Sequence, residues 1–252
     1  MKYFFSLKIL SLFALISLGF LFIPPVYHLK WGSVKLITWD KTRGKIIQEM
    51  NHEHSSWQNI EQVSPLLLSA IIGSEDTFFY THAGIDINSI RKSFKENYRA
   101  GYIKRGASTI TQQVVKLSFL NQRRSYLRKA REIVGALLLE IFLNKKEILS
   151  WYLNLAYFGN GFHGIKSASR GYFDKSPENL NLNESISLAL LLPSPNSFGL
   201  QIIQKKFSRK AELRFYAILK EMRNKKEINS QQWSKALKTG NFGNPLKIKK
   251  AP

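Results

Sequence analysis

The sequence has no cysteine, so it can form no disulfide, no thiolate nucleophile and no cysteine-ligated zinc site. That fits a location outside the cytoplasm. Acidic residues are scarce: 17 Asp and Glu stand against 38 Lys and Arg in 252 residues, a formal net charge of +21. Such an excess suits an anionic partner, whether nucleic acid, an acidic membrane surface or a phosphorylated substrate. No period repeats and no low-complexity tract interrupts the chain. With 44% hydrophobic residues there is enough apolar surface for a sizeable core, and the length suits one medium-sized domain plus an appendage.

That appendage is at the amino terminus. Ile9 to Tyr27 reads ILSLFALISLGFLFIPPVY without a charge, and about 20 helical residues cross the hydrocarbon core. The run lacks a small-residue cleavage site before Pro24-Pro25, which favours an uncleaved anchor over a signal peptide. The expected division is a cytoplasmic stretch at 1–8, a transmembrane helix at 9–27 and a juxtamembrane segment at 28–58. Lys2 and Lys8 precede the run and Lys30 and Lys35 follow it, so charge does not orient it.

Beyond the anchor, Val34–Trp39 and Lys45–Gln48 pattern as short strands around the turn Lys41-Thr42-Arg43-Gly44. From Ser64 the periodicity becomes helical. Ser64-Pro65 opens a helix to about Glu75, Asp86 caps one to Arg99, Ser108 one to Ser118, and Ser125 begins the longest, to Phe142. Asn144 and Glu147 form a capping box for a helix ending near Leu155. Further helices are expected at 162–173, 183–192, 207–224 and 230–238. The architecture expected is mainly α.

Three clusters carry chemistry-bearing side chains. In the first, Glu75 and Asp76 precede Phe78, Phe79, Tyr80 and His82. A carboxylate desolvated by apolar rings has a raised pKa and becomes a base suited to neutral pH; the competing reading is a surface acid, with His82 tying down the turn. In the second, Gly106 to Lys116, a helix sets Thr109, Gln112, Gln113 and Lys116 on one face and Ile110, Val114 and Leu117 on another. Hydroxyls and amides suit sugar and phosphate oxygens, Gly106 would permit a close backbone approach, and the helix start at Ser108 would hold an anion. An ordinary amphipathic helix explains the same pattern. In the third, Arg123 to Glu132, Arg128 and Glu132 are spaced to pair, and Glu132 sits where a basic half-helix turns apolar. A structural salt bridge and a functional site both fit it.

Together the segments resemble glycosyltransferase family 51, the transglycosylases that stand alone or form part of bifunctional penicillin-binding proteins. ED-x-x-F-x-x-H-x-G is met by Glu75, Asp76, Phe79, His82 and Gly84, and G-x-STITQQ-x-x-K runs from Gly106 to Lys116. R-K-x-x-E is met by Arg128, Lys129 and Glu132, with Arg124 upstream. K-x-x-IL-x-x-YLN is met by Lys145, Ile148, Leu149, Tyr152, Leu153 and Asn154, and R-x-x-x-[VI]-L by Arg214, Ile218 and Leu219. Ala107, Leu117 and Asp174 depart from the pattern.

The resemblance implies a lysozyme-like helical domain with a small jaw lobe over 59–225, a C-terminal helix and tail over 226–252, and the monofunctional branch of the family. It implies polymerisation of lipid II into β-1,4-linked glycan, with Glu75 as general base and Glu132 organising the diphosphate site. Lys116, Arg124 and Arg128 would bind pyrophosphate, and Asp76, Ser108, Gln112 and Gln113 would also contact substrate. A divalent cation, Mg or Mn, at Glu132 is a family expectation; the residues themselves require no cofactor. The implied setting is the outer face of the bacterial inner membrane, with lipid II, the growing strand, the membrane and cell-wall or division proteins as partners. No nucleic-acid motif is present. The competing functions are a lytic transglycosylase or lysozyme-type hydrolase and a catalytically silent scaffold.

Overall fold

The computed structural model describes residues 23–40, 44–102, 106–120 and 125–239, and the side chains of these except 37–40 and 44–47. The expected cytoplasmic stretch, most of the expected span, the turn residues 41–43, Arg123, Arg124 and the tail from 240 onward lie outside the described residues. Among the described residues, no helix is long and apolar enough to cross a membrane.

The chain enters through a one-turn helix, α1 (His28–Trp31), then an antiparallel hairpin of β1 (Val34–Asp40) and β2 (Gly44–Met50), registered from Val34 opposite Met50 to Asp40 opposite Gly44. Among the described residues, ten α-helices follow: α2 (Pro65–Glu75), α3 (Ile87–Ala100), α4 (Ile110–Phe119), α5 (Tyr126–Phe142), α6 (Lys145–Leu155), α7 (Ile165–Phe173), α8 (Leu182–Leu191), α9 (Pro195–Ile203), α10 (Arg209–Asn224) and α11 (Ser230–Thr239). The mainly helical expectation holds. Alpha-helix α9 was not expected, because its Pro195-Asn196-Ser197 start reads as a turn; proline is tolerated there because it occupies the first turn.

The amino-terminal segment is part of the domain. Val26 and Leu29 are buried in the same core as Val34, Leu36, Met50 and Trp57, and Trp151 Nε1 donates to Leu29 O at 2.9 Å. The end of the expected 9–27 span and much of the 28–58 segment therefore pack against protein. Helix α6 forms the centre: Ile148 to Leu155 are all buried, and Asn154 bridges Gln58 N, Gln58 O and Ser150 O. Its capping box forms as expected, Asn144 accepting from Glu147 N and Glu147 from Asn144 N.

Two groups of helices meet near residue 75. Helices α2, α8 and α10 pack together, while α4 lies on α5 and α6. The α4–α5 contact is close because residue 135 has no side chain: a Cβ there would stand 2.7 Å from Val115 Cγ1. Gly106 is different, with open space around it among the described residues.

Candidate active site

Glu75 is the last residue of α2, and its side chain is only 11% exposed. Its Oε2 accepts from Gln113 Nε2 at 3.0 Å, and Oε1 faces Arg214 Nη2 at 3.4 Å and Ser74 Oγ at 3.5 Å. Gln113 comes from α4 and Arg214 from α10, so the carboxylate sits where the two helix groups converge. Burial raises the Glu75 pKa, opposed by Gln113, Arg214, Ser74 and Lys116. Of the three rings that follow it in sequence, Phe79 is buried. Phe78 and Tyr80 are exposed, whereas Tyr152 of α6 is fully enclosed and its own pKa is pushed well up by burial and then by the charges of Glu75 and Asp76. Its hydroxyl reaches Gln113 Oε1 at 3.5 Å.

Asp76 turns inward, away from Glu75's partners. Its Oδ2 accepts the first N–H of α4, Ile110 N, at 2.9 Å, and His82 Nε2 lies 3.0 Å from the same oxygen. Behind the turn, Lys145 Nζ donates to His82 O and to Glu140 Oε1, each at 2.6 Å, and stacks over Phe79 at 4.7 Å. Thr111 Oγ1 donates to the same Glu140 oxygen at 2.6 Å. The expected structural role of His82 matches this geometry. Asp76, expected to contact substrate, is a buried carboxylate held by a histidine and a helix terminus.

Helix α4 corrects two further expectations. Its cap is Thr109, not Ser108, and Gln112 completes the capping box by accepting from Thr109 N at 3.0 Å. Gln112 is consequently 1% exposed and faces the interior. Ile110 N is taken by Asp76 and Gln112 N by Thr109, so two of the first-turn N–H groups are already satisfied by protein. Gln113 and Lys116, one turn on, remain directed toward Glu75 and Glu132.

Glu132 lies on α5 with 4% of its side chain exposed. Arg128 Nη1 donates to Oε2 at 3.2 Å, Lys129 Nζ donates to Oε1, and Lys129 also donates to Ser108 Oγ at 3.0 Å. Among the described residues, Arg128 Nε is buried without a partner. Lys116 is solvent-exposed at its surface, yet the protein around its ammonium lowers its pKa; Glu132 and Glu75 oppose that shift, while Arg128 and Lys129 add to it. One lysine thus feels both carboxylates. Arg124, expected beside this cluster, lies outside the described residues.

A divalent cation does not fit this donor set. Both Glu132 oxygens are turned to cationic side chains, so its carboxylate is taken up by Arg128 and Lys129, and among the described residues no three His, Asp or Glu side chains gather. Lys129, Tyr152 and Arg214 belong to the site but were not among the expected site residues, although each stands in a recognisable motif. Lys129 was legible from its three-residue spacing to Glu132; the other two are brought in by tertiary packing alone.

Residues 43–223 match the family model described as Transglycosylase. A biosynthetic peptidoglycan transglycosylase of Haemophilus influenzae (strain ATCC 51907 / DSM 11121 / KW20 / Rd) is 44% identical over 140 residues, 56% of this chain and 57% of that protein. One from Shewanella denitrificans is 46% identical over 141 residues, 56% of this chain and 61% of that protein. One from Thiobacillus denitrificans is 38% identical over 154 residues, 60% and 66%. Each match spans less than two thirds of the relative's length. Among solved structures, Penicillin-Binding Protein 1A from Haemophilus influenzae aligns with a TM-score of 0.42 and 19% identity, over 86% of this chain and 22% of that one. With the family model covering well over half of the sequence, the chain belongs to the transglycosylase family.

Proposed function

We propose that this protein is a peptidoglycan glycosyltransferase that polymerises lipid-linked disaccharide into β-1,4-linked glycan, releasing a polyprenyl diphosphate. The supporting observation is the pairing of one enclosed carboxylate with one cation cluster through a shared lysine. Among the described residues no second acid acts on Glu75, and Lys116 feels both Glu75 and the group formed by Arg128, Lys129 and Glu132.

The chemistry follows from what each bond needs. An attacking sugar hydroxyl must lose a proton as it bonds to the donor's anomeric carbon, and Glu75, buried and raised, is a base matched to that task. The departing diphosphate takes the electron pair of the broken carbon–oxygen bond and requires positive charge rather than a proton. Lys116, Arg128 and Lys129 supply it, with Glu132 holding Arg128 and Lys129 in place. Displacement from the face opposite the leaving group inverts an α-linked donor into a β-linked product. Ser108 and Gln113 are at the rim of this arrangement; Gln112 and Asp76 act by holding α4. A hydrolase of finished glycan works with a pair of carboxyls, one of them protonated to assist an alcohol leaving group, whereas the groups that act on Glu75 are an amide, a hydroxyl and two cations. The reading puts the enzyme at the outer face of the bacterial cytoplasmic membrane, held by the uncharged run from Ile9 to Tyr27.

The test is to incubate the detergent-solubilised full chain with purified lipid-linked disaccharide. Muramidase-sensitive polymer is expected; its absence, or digestion of finished cell wall in its place, would overturn the reading.

A further inference from the structure

Arg214 lies on α10, far along the chain from the other charged groups of the site. Its Nη2 donates to Ser74 Oγ at 2.9 Å and faces Glu75 Oε1 at 3.4 Å, while Gln113 holds the opposite oxygen, Oε2, at 3.0 Å. Ser74 Oγ also reaches Ala189 O at 3.3 Å, tying the contact to α8. The three helices α2, α8 and α10 therefore fix the arginine before any substrate arrives. We propose that Arg214 is a positioning residue for Glu75, fixing the carboxylate's orientation and holding it in the base form that the glycosyl transfer uses. The proposal rests on the reading of Glu75 as the general base.

The charged and titratable groups around Glu75 leave this duty to Arg214. From α4 comes Lys116, which is shared with Glu132 and crowded by Arg128 and Lys129. From α6 comes Tyr152, which stays protonated. Asp76, next in the chain, is occupied by His82 and Ile110 N. On α10, Glu221 lies against Gly73 and Lys225 donates to Thr77 O, both away from the carboxylate. Among the described residues, Arg214 is thus the cation that makes direct contact with Glu75. When Glu75 accepts a proton the ion pair is lost, so the same arginine favours the proton's release and resets the base.

The experiment measures ionisation and turnover on the full chain in detergent. Glutamate is labelled with ¹³C at the side-chain carboxyl, and the Glu75 resonance is the one lost in Glu75→Gln. In Arg214→Gln the midpoint is expected to rise by about one pH unit, and the acid limb of polymer formation should move with it, while Arg214→Lys returns both toward wild type. Arg214→Met keeps the aliphatic stem and serves if the glutamine variant does not fold. An unchanged midpoint in a folded Arg214→Gln or Arg214→Met protein overturns the proposal. Wild-type polymer formation with an acid limb that ignores Arg214 overturns it as well and leaves the glycosyltransferase reading standing. A wild type that makes no polymer removes that reading, and with it the base that Arg214 is proposed to serve.

Discussion

Glu132 is 4% exposed with an arginine on one oxygen and a lysine on the other, while Glu75, at 11%, has an amide on one oxygen and a more distant arginine and serine on the other. Both are glutamates withdrawn from water, and both are felt by Lys116. The number of cations in direct contact separates them. Two adjacent cations make Glu132 a fixed counter-charge, suited to organising positive groups around a diphosphate. A single cation at 3.4 Å leaves Glu75 desolvated with a raised pKa, able to take a proton and give it back. Burial alone does not distinguish a structural acid from a reactive one; the partners do.

The largest expected effect breaks the reactive side of this comparison. Glu75→Gln should lower polymer formation at least about a hundredfold, the scale of losing a positioned base, with the circular dichroism of the folded protein unchanged. Glu132→Ala strikes the other side. It leaves Arg128 largely buried beside an uncompensated lysine, and a loss of about 3 kcal/mol in folding stability is expected from breaking a buried pair, read from urea titrations. Asp76→Ala should cost about 2 kcal/mol, because His82 and Ile110 N–H lose a buried acceptor. Turnover should also fall there, since α4 carries Gln113 and Lys116.

The smallest effect concerns pH and sharpens the contrast. The folded pKa of Glu75 lies above its unfolded value, so folding favours the protonated form. The associated stability is fully present below the unfolded pKa and is lost as pH rises through the folded one. Glu75→Gln removes that penalty. Its melting temperature relative to wild type should therefore be higher at neutral pH than at acidic pH, as scanning calorimetry at the two pH values would measure. The reverse order would mean that Glu75 is stabilised as an anion, like a paired carboxylate.

Local signals gave the helices and their caps, because a cap needs only a few neighbouring residues. Asp86 accepting from Ser89 N, Ser125 from Arg128 N and the Asn144–Glu147 box are all local. The same reasoning missed by one residue at α4, where Ser108 and Thr109 are equally good caps. The choice there depends on Thr109 Oγ1 donating to Gly84 O at 2.7 Å, across a separate loop. Asp174, which departs from the family pattern, takes a left-handed conformation at the end of α7 with φ of 54°, a geometry that aspartate tolerates better than most residues. Helical spacing likewise grouped Gln112 with Gln113 and Lys116, but it has no term for the capping box that turns Gln112 inward.

By itself the sequence determined the mainly helical composition, the excess of positive charge, the pairing of Arg128 with Glu132 and the motifs that mark the family. All of these depend on residue type and short spacing. Only the tertiary structure decided which side chains surround Glu75. Tyr152 and Arg214 reach it because α6 and α10 pack against α4 and α2, and contacts between distant segments follow from how whole helix faces bury their apolar area. The same packing turned Asp76 from a substrate contact into a clamp on α4, since a carboxylate enclosed by a helix start and a histidine is held by their hydrogen bonds.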